Sequence, residues 1–332
     1  MKIRNPLVSV IIPVYNAEQT IGNMLLSMRN QSYSQIELIF VNDASEDNSL
    51  ELIQKYTSAF HEKGYIVCIV SHALNKGVAE ARNTGLSKAT GDYVYYVDAD
   101  DQIEPHAIKM LVDTALDTNV DIVGCNWFLT FNKDERKMNQ PSFSQPLEAI
   151  VKMLAGTMRW NLWLFLVRRS LYEEHEIRFL PEKNMGEDLM VMIKLFVHAS
   201  SVAYLDCPLY HYGQSNKQSL TKVYSDKHIE EVTCNMIEAE RTLRNSQFSA
   251  SLGNSIDFLK LNIKLPLLIS DRIEQYNHWL SWFPEANDKV MLNKMLPFRI
   301  RLLQWLAVKK QFWAVQLYYH LVVRFVYGVL YK

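Results

Sequence analysis

Acidic side chains recur where strand-like runs of this chain give way to turns. Asp43 stands in Val41-Asn42-Asp43-Ala44-Ser45, Asp98, Asp100 and Asp101 in Tyr96-Val97-Asp98-Ala99-Asp100-Asp101, and Asp188 follows Gly186-Glu187. In an extended chain residues two apart point the same way, so Asp98 and Asp100 are expected to face one ligand together, with Ala99 leaving the backbone open between them. Paired hard oxygens suit Mg²⁺ or Mn²⁺, and such an ion suits a diphosphate. Any one of these acids can equally end a strand by forming an Asx turn. All of them doing only that, at successive strand ends, is a poorer account. Asp188 precedes the apolar stripe Leu189, Met192, Ile193, Phe196 and Val197, so it is also suited to cap a helix.

The elements that must position these acids alternate in period. Val8–Val14 is a β-branched run that predicts a strand covered on both faces, and Ile36–Val41, Tyr65–Val70 and Tyr93–Val97 predict three further strands. Between them, Asn16 with Gln19 resembles a capping box ahead of Ile21, Met24, Leu25 and Met28. Leu50, Ile53 and Phe60 mark a second helix, 78–88 a third, and Pro105 opens a fourth through Ile108, Leu111, Val112 and Ala115. Strands alternating with helices predict an α/β fold with a mostly parallel sheet and helices on both faces, and ligands of such sheets gather at the carboxyl ends of the strands. Residues 127–160 read as loop with a short helix near 148–154, Trp163–Val167 as a further strand, and 226–243, 256–276 and 287–331 as helical.

Composition bounds the rest. A chain of 332 residues with 48% hydrophobic and 21% charged residues buries a sizeable core. Its formal charge of −1 speaks against a nucleic-acid binder. The charge is uneven: residues 289–332 hold eight Lys or Arg and no acid, which leaves −9 on the first 288. Cys68, Cys125, Cys207 and Cys234 form no CxxC pair, so neither zinc nor a disulfide framework is expected and a reducing cytoplasm fits. The basic, apolar N-terminus is interrupted by Pro13 and reads as a strand rather than a signal peptide. The most apolar stretch, 312–331, contains Gln316, His320 and Arg324, so no spanning helix is expected.

Taken in order, Val8-Ser9-Val10-Ile11-Ile12-Pro13-Val14-Tyr15-Asn16, Val41-Asn42-Asp43-Ala44-Ser45, Asn75-Lys76-Gly77 with Ala81-Arg82-Asn83-Thr84-Gly85, the Asp-Ala-Asp-Asp tetrad and Gly186-Glu187-Asp188 resemble a family-2 inverting glycosyltransferase of GT-A fold, of the bacterial surface-polysaccharide type. The resemblance covers roughly residues 6 to 222 and implies a nucleotide-sugar-binding and catalytic domain over 1–222. It implies that Pro13, Val14 and Tyr15 line a nucleobase pocket, that Asp43 accepts a hydrogen bond from the base, that Arg82 lies near the nucleotide, and that Asp98 and Ala99 meet the ribose or metal. Asp100 would ligate Mn²⁺ or Mg²⁺ and Asp188 would be the general base, with Glu187 as the fallback. Tyr210-His211-Tyr212-Gly213 with Ser219-Leu220-Thr221 is similar to the family stretch after the base, but Gly213 stands where a basic residue is often found. His211 either reaches the metal or is a structural residue, and Trp160 and Trp163 form either a sugar platform or part of the core.

The C-terminal region, 223–332, lies outside the resemblance. Phe298, Leu302, Leu303, Trp305, Leu306, Phe312, Trp313, Leu317, Leu321, Val322, Phe325 and Val326 alternate with Arg299, Arg301, Lys309, Lys310 and Arg324. This pattern suits either the interface of an anionic membrane or a helical subdomain that packs on the catalytic domain or on a second copy. The expected activity is transfer of a hexosyl or N-acetylhexosaminyl group from a nucleotide diphosphate donor, most readily a UDP-sugar, to a glycan or lipid-linked glycan. The expected place of work is the cytoplasmic face of the cell membrane. The rival is a non-catalytic nucleotide-sugar-binding scaffold of the same fold, which would have no use for Asp188.

Overall fold

A computed structural model describes residues 5–131, 134–213 and 225–322. The chain forms two compact units, Met1–Glu148 with Trp160–Leu243 and Ala149–Arg159 with Arg244–Lys332.

The first unit opens with β1 (Val8–Val14), α1 (Ile21–Arg29), β2 (Ile36–Asn42), α2 (Ser49–Glu62), β3 (Ile66–Ser71), α3 (Val78–Lys88) and β4 (Tyr93–Tyr96). β1 pairs in parallel with β2 and β4, and β2 with β3. β1 and β2, apolar but for Ser9, Glu37 and Asn42, are buried along almost their whole length, which is what a strand covered on both faces requires. The unit continues through β5 (Gln102–Ile103), α4 (Ala107–Thr118), β6 (Ile122–Thr130), β7 (Glu135–Met138), α5 (Pro146–Leu154), β8 (Phe165–Arg168), α6 (Arg169–Glu174), α7 (Glu187–His198), β9 (Val202–Gly213) and α8 (Asp226–Asn245), with most of α5 belonging to the second unit. Among the described residues the strands form one sheet in the order β3-β2-β1-β4-β8-β6-β9-β5, with β7 on β6. The expected α/β fold is borne out, with antiparallel pairs where β8 meets β4 and β6.

Several local expectations are corrected. Asn16 does not cap α1. It sits at φ 46° and its side chain accepts the N–H of Glu46, joining the loops after β1 and β2, while the helix starts five residues later. The acidic tetrad is a turn closed by the Asp101 N–H on the Asp98 carbonyl at 3.2 Å, because β4 stops at Tyr96, so the two-residue alternation does not apply to it. Residues 127–130, expected as loop, continue β6, and β9 was not foreseen at all.

The second unit holds α5 from Ala149 onward, α9 (Ser255–Lys264), α10 (Ile273–Ser281), α11 (Phe298–Val308) and α12 (Phe312–Tyr318). The expected long helix over 256–276 is broken after Lys264, where Pro266 starts a 3-10 turn. The one expected over 287–331 divides at Pro297 and again after Val308, where Lys310 has φ 55°; Arg324, Phe325 and Val326 lie outside the described residues. Ala149, Ile150, Met153 and Leu154 of α5 are fully buried, and Asn262 and Asn293 donate to the carbonyls of Leu154 and Ala155 at 2.8 and 3.0 Å. Lys264 is buried too, its Nζ donating to the Trp282 carbonyl at 2.7 Å and to Asn287 at 2.6 Å above the Trp279 ring. Among the described residues no helix is long and apolar enough to cross a membrane.

Candidate active site

The site is built outward from α3. Its leading N–H groups have no partner inside the helix, and the chain supplies them from a distance. Asp43, one residue beyond β2, accepts the N–H of Lys76 at 2.9 Å and of Gly77 at 2.7 Å, the two residues leading into the helix, and Asn184 accepts that of Ala79 in its first turn at 3.1 Å. A carboxylate at a helix N-terminus is also favoured by the helix dipole. The Asp43 carboxylate additionally lies 2.6 Å from Nδ1 of His72, so a nucleobase N–H would be a further donor to an acceptor already engaged. Gly77 has φ 85°, which a side chain rarely adopts, and a Cβ there would fall on the Asn184 amide. Ala81 is fully buried, and a Cβ on Gly85 would lie 2.4 Å from Ile11, so α3 lies tightly against β1. Asn83 exchanges two hydrogen bonds with the backbone of Phe179, at 3.0 and 2.9 Å.

Held in this way, α3 delivers Arg82 into a cluster of acids. Nη1 donates to Glu187 at 2.7 Å and to Asp188 at 2.6 Å, and Nη2 to Asp98 at 3.2 Å. Tyr96 and Phe179 lie beside the guanidinium, with ring centres 5.9 and 5.8 Å away. Burial acts to lower the Arg82 pKa, but the charges of Asp188, Asp98 and Glu187 outweigh it and raise it. Glu187 and Asp188 are the first two residues of α7, whose cap is Gly186 at φ 78°. Asp188 therefore does not cap the helix; its Oδ1 is on Arg82 and its Oδ2 accepts the N–H of Leu162 at 3.3 Å. The acids outnumber the single guanidinium. Burial first, then the charge of Asp188, pushes Glu187 up to about 8 against the pull of Arg82. Burial, with Asp100 and Asp188 adding to it and Arg82 opposing, lifts Asp98 to about 6.

The tetrad turn is fastened from β9. Tyr210 accepts the N–H of Asp98 at 3.1 Å and donates to Asp101 at 2.8 Å, and the N–H of Gly213 donates to Asp101 at 2.7 Å. Asp101 is thus turned inward, and burial followed by the charges of Asp98 and Asp100 holds its pKa well above the usual range. Trp163 is 3% exposed and stacks on Tyr210 at 4.3 Å and Tyr212 at 5.3 Å, which places it in the core. His211 has both ring nitrogens on glutamates, Glu104 at 2.6 Å and Glu135 at 2.8 Å, and stacks on Phe128. Pro13, Val14 and Tyr15 lie at the carboxyl end of β1, where Val14 accepts the Asp43 N–H at 2.8 Å and Tyr15 is exposed. Ser219, Leu220 and Thr221 lie outside the described residues. Parallel pairing brings the carboxyl ends of β1, β2 and β4, and so residues 13–15, 43 and 98–101, to one edge of the sheet.

The residues suit a divalent ion. Among the described residues no group of three His, Cys, Asp or Glu is arranged to hold a metal ion by itself. Mg²⁺ and Mn²⁺ bind through one or two carboxylates and take their other ligands from phosphates and water, and Asp98 and Asp100 are the carboxylates of this turn that would supply them. Sequence reasoning missed Asn83, Asn184, His72 and Tyr210. Each acts on a partner distant in sequence, Asn184 on Ala79 and Tyr210 on Asp101, so spacing carried no sign of them.

Comparison with known proteins agrees with the sheet and the motifs. The profile described as Glycosyl transferase family 2 matches residues 9–188, and the chain belongs to that family. EpsH of Bacillus subtilis is 34% identical over 235 residues, which are 69% of this chain and 66% of EpsH. TarS of Staphylococcus aureus, a poly(ribitol-phosphate) β-N-acetylglucosaminyltransferase, is 22% identical over 87% of this chain and 52% of its own length. This chain therefore matches two thirds or less of these relatives. The crystal structure of TarS 1-349 with UDP-GlcNAc superposes with a TM-score of 0.70 at 19% identity, covering 94% of this chain and 91% of that one. A mannosyltransferase from Pyrobaculum calidifontis in complex with GDP-Man and Mn²⁺ shares the fold with a TM-score of 0.55 at 16% identity, over 96% of this chain and 88% of that one.

Proposed function

We propose that the chain transfers a sugar from a nucleotide diphosphate donor, a UDP-sugar in particular, to a hydroxyl of a glycan or lipid-linked glycan with inversion, in the synthesis of a cell-surface polysaccharide. The observation that carries this reading is the gathering of Asp98, Glu187 and Asp188 around Arg82, beside the carboxyl ends of β1, β2 and β4. TarS, to which the chain is similar, was crystallised with UDP-GlcNAc. Pro13, Val14, Tyr15 and Asp43 border the place for the base, and Asp98, Ala99 and Asp100 the place for the ribose and diphosphate. Asp188 takes the acceptor hydroxyl's proton as that oxygen bonds to the anomeric carbon, and the bond from this carbon to the diphosphate breaks with its electron pair leaving on the nucleotide. Mn²⁺ or Mg²⁺, held by Asp98 and Asp100, would neutralise charge on that leaving group. One carboxylate suffices, since no second protein acid is needed when the leaving group is a diphosphate.

The same reading places the chain at the inner face of the cell membrane, with the basic, aromatic helices of the second unit toward the lipid and the acceptor carried on it. Screening UDP-, GDP- and dTDP-sugars for metal-dependent release of the nucleotide tests the activity. Release from one of them is expected, with Asp188→Asn slowing it about 10²- to 10⁴-fold, as loss of a general base does. Binding of these donors without any turnover in the presence of glycan acceptors would favour a scaffold instead.

A further inference from the structure

We propose that Arg82 is a positioning residue that sets Asp188 against Asp98, and not a contact of the nucleotide as the family resemblance implies. The inference rests on the reading of Asp188 as the base. A guanidinium presents its N–H donors in a fixed planar fork, and here three of the five are engaged inside the protein. Nη1 serves Glu187 and Asp188 and Nη2 serves Asp98. The side chain is 5% exposed, and Nε is buried without an acceptor, out of reach of a ligand from solvent. The three acids arrive on two different elements, Asp98 in the turn after β4 and Glu187 with Asp188 at the head of α7, while Arg82 comes from a third, α3. The guanidinium is thus a strut between the donor side of the site and the acceptor side.

The strut also chooses between the oxygens of Asp188. Oδ1 accepts a short bond from Nη1 at 2.6 Å, whereas Oδ2 has only the 3.3 Å bond from the Leu162 N–H. Oδ2 is therefore the oxygen that takes the proton. A lysine in place of Arg82 keeps the charge but is a point donor that cannot span both sides, so the inference predicts a loss that charge alone does not repair.

The test compares wild type, Arg82→Lys, Asp188→Asn and the double variant for release of UDP from UDP-GlcNAc with Mn²⁺, alongside UDP affinity by calorimetry. Arg82→Lys is expected to lower turnover about 10²-fold, the scale of a misplaced catalytic group, with UDP affinity within about threefold of wild type. The double variant is expected to be no slower than Asp188→Asn, because a residue that acts through Asp188 has nothing left to act on. A UDP affinity that collapses while turnover at saturation holds, or a double variant whose losses multiply, overturns the strut. Asp188→Asn turning over at the wild-type rate removes the base reading itself, a distinct result. A crystal structure of the wild-type chain with UDP and Mn²⁺ decides the point whether or not the variants fold. The guanidinium still on Asp188 and clear of the nucleotide supports the inference, and the guanidinium bonded to UDP and released from Asp188 ends it.

Discussion

The hydroxyl of Tyr210 donates to Asp101 at 2.8 Å and accepts from the N–H of Asp98 at 3.1 Å, so one side chain on β9 grips both ends of the acidic turn. Tyr210→Phe leaves the ring in its stack with Trp163 and removes only that grip. The variant is expected to lose about 1–3 kcal/mol of stability, the cost of a buried group left without its partner. It should also need more Mn²⁺ for half-maximal UDP release. Thermal unfolding and a metal titration of turnover check the two halves, and a lower melting temperature with an unchanged metal requirement would make Tyr210 a packing residue only.

Chelation should silence transfer. EDTA, or Asp100→Asn, is expected to abolish metal-dependent nucleotide release, with activity in the chelated wild type returning on addition of Mn²⁺ or Mg²⁺. Full activity after exhaustive chelation would remove the metal from the mechanism and leave Asp98 and Asp100 as ribose or structural acids.

Stability of the EDTA-treated chain should fall as pH rises. Glu187 titrates at about 8 when folded against an ordinary 4.5, because of burial and the charge of Asp188. The folded chain therefore keeps a proton that the unfolded chain has released, and that advantage is lost between about pH 4.5 and 8. Asp98, raised to about 6, contributes with the same sign over a narrower window. Glu187→Gln should flatten the decline in melting temperature across this range without eliminating it, and an unchanged pH slope would show Glu187 to be ionised in the folded chain.

The second unit should bind anionic vesicles. Phe298, Leu302 and Trp305 on α11, and Trp313 and Leu317 on α12, are exposed and share the region with Arg299, Lys309 and Lys310. Headgroup attraction is worth up to about 1 kcal/mol for each basic residue near the surface and fades with salt, whereas insertion of aromatic rings does not. Co-sedimentation with phosphatidylglycerol vesicles is expected to weaken in salt and to be reduced further by Trp305→Ser with Trp313→Ser. Deleting residues 289–332 is a poor substitute, since Leu303, Gln304 and Ala307 are buried in the unit. A chain that ignores vesicles, or whose double variant changes only its oligomeric state, would assign this face to protein contacts.

The sequence made the βα alternation legible because each early strand is a mostly apolar run, and β1 and α3 match their expected spans residue for residue. Legibility failed where pairing rather than pattern decides. The strand β9 mixes buried and half-exposed residues with no clean alternation, and its place is set by partners such as β6. The site divides the same way. Arg82, Asp98, Glu187 and Asp188 carry charges that motif order exposes, and the structure brings them together. His211 and Trp163 attracted attention by residue type, yet one is held between two glutamates and the other lies in an aromatic stack.

The second unit is not one stretch of chain, because Ala149–Arg159 belongs with Arg244–Lys332. During synthesis α5 therefore leaves the ribosome some 85 residues ahead of the segment that covers it. At about 5–20 residues per second that interval lasts roughly 4–17 s. Throughout it Ala149, Ile150, Met153 and Leu154, all fully buried in the finished protein, have no cover from their own unit. The newborn chain thus carries a sticky helix in its middle, and the yield of folded protein in the cell should depend on how fast translation reaches α9 and on whether a chaperone shields α5 until then.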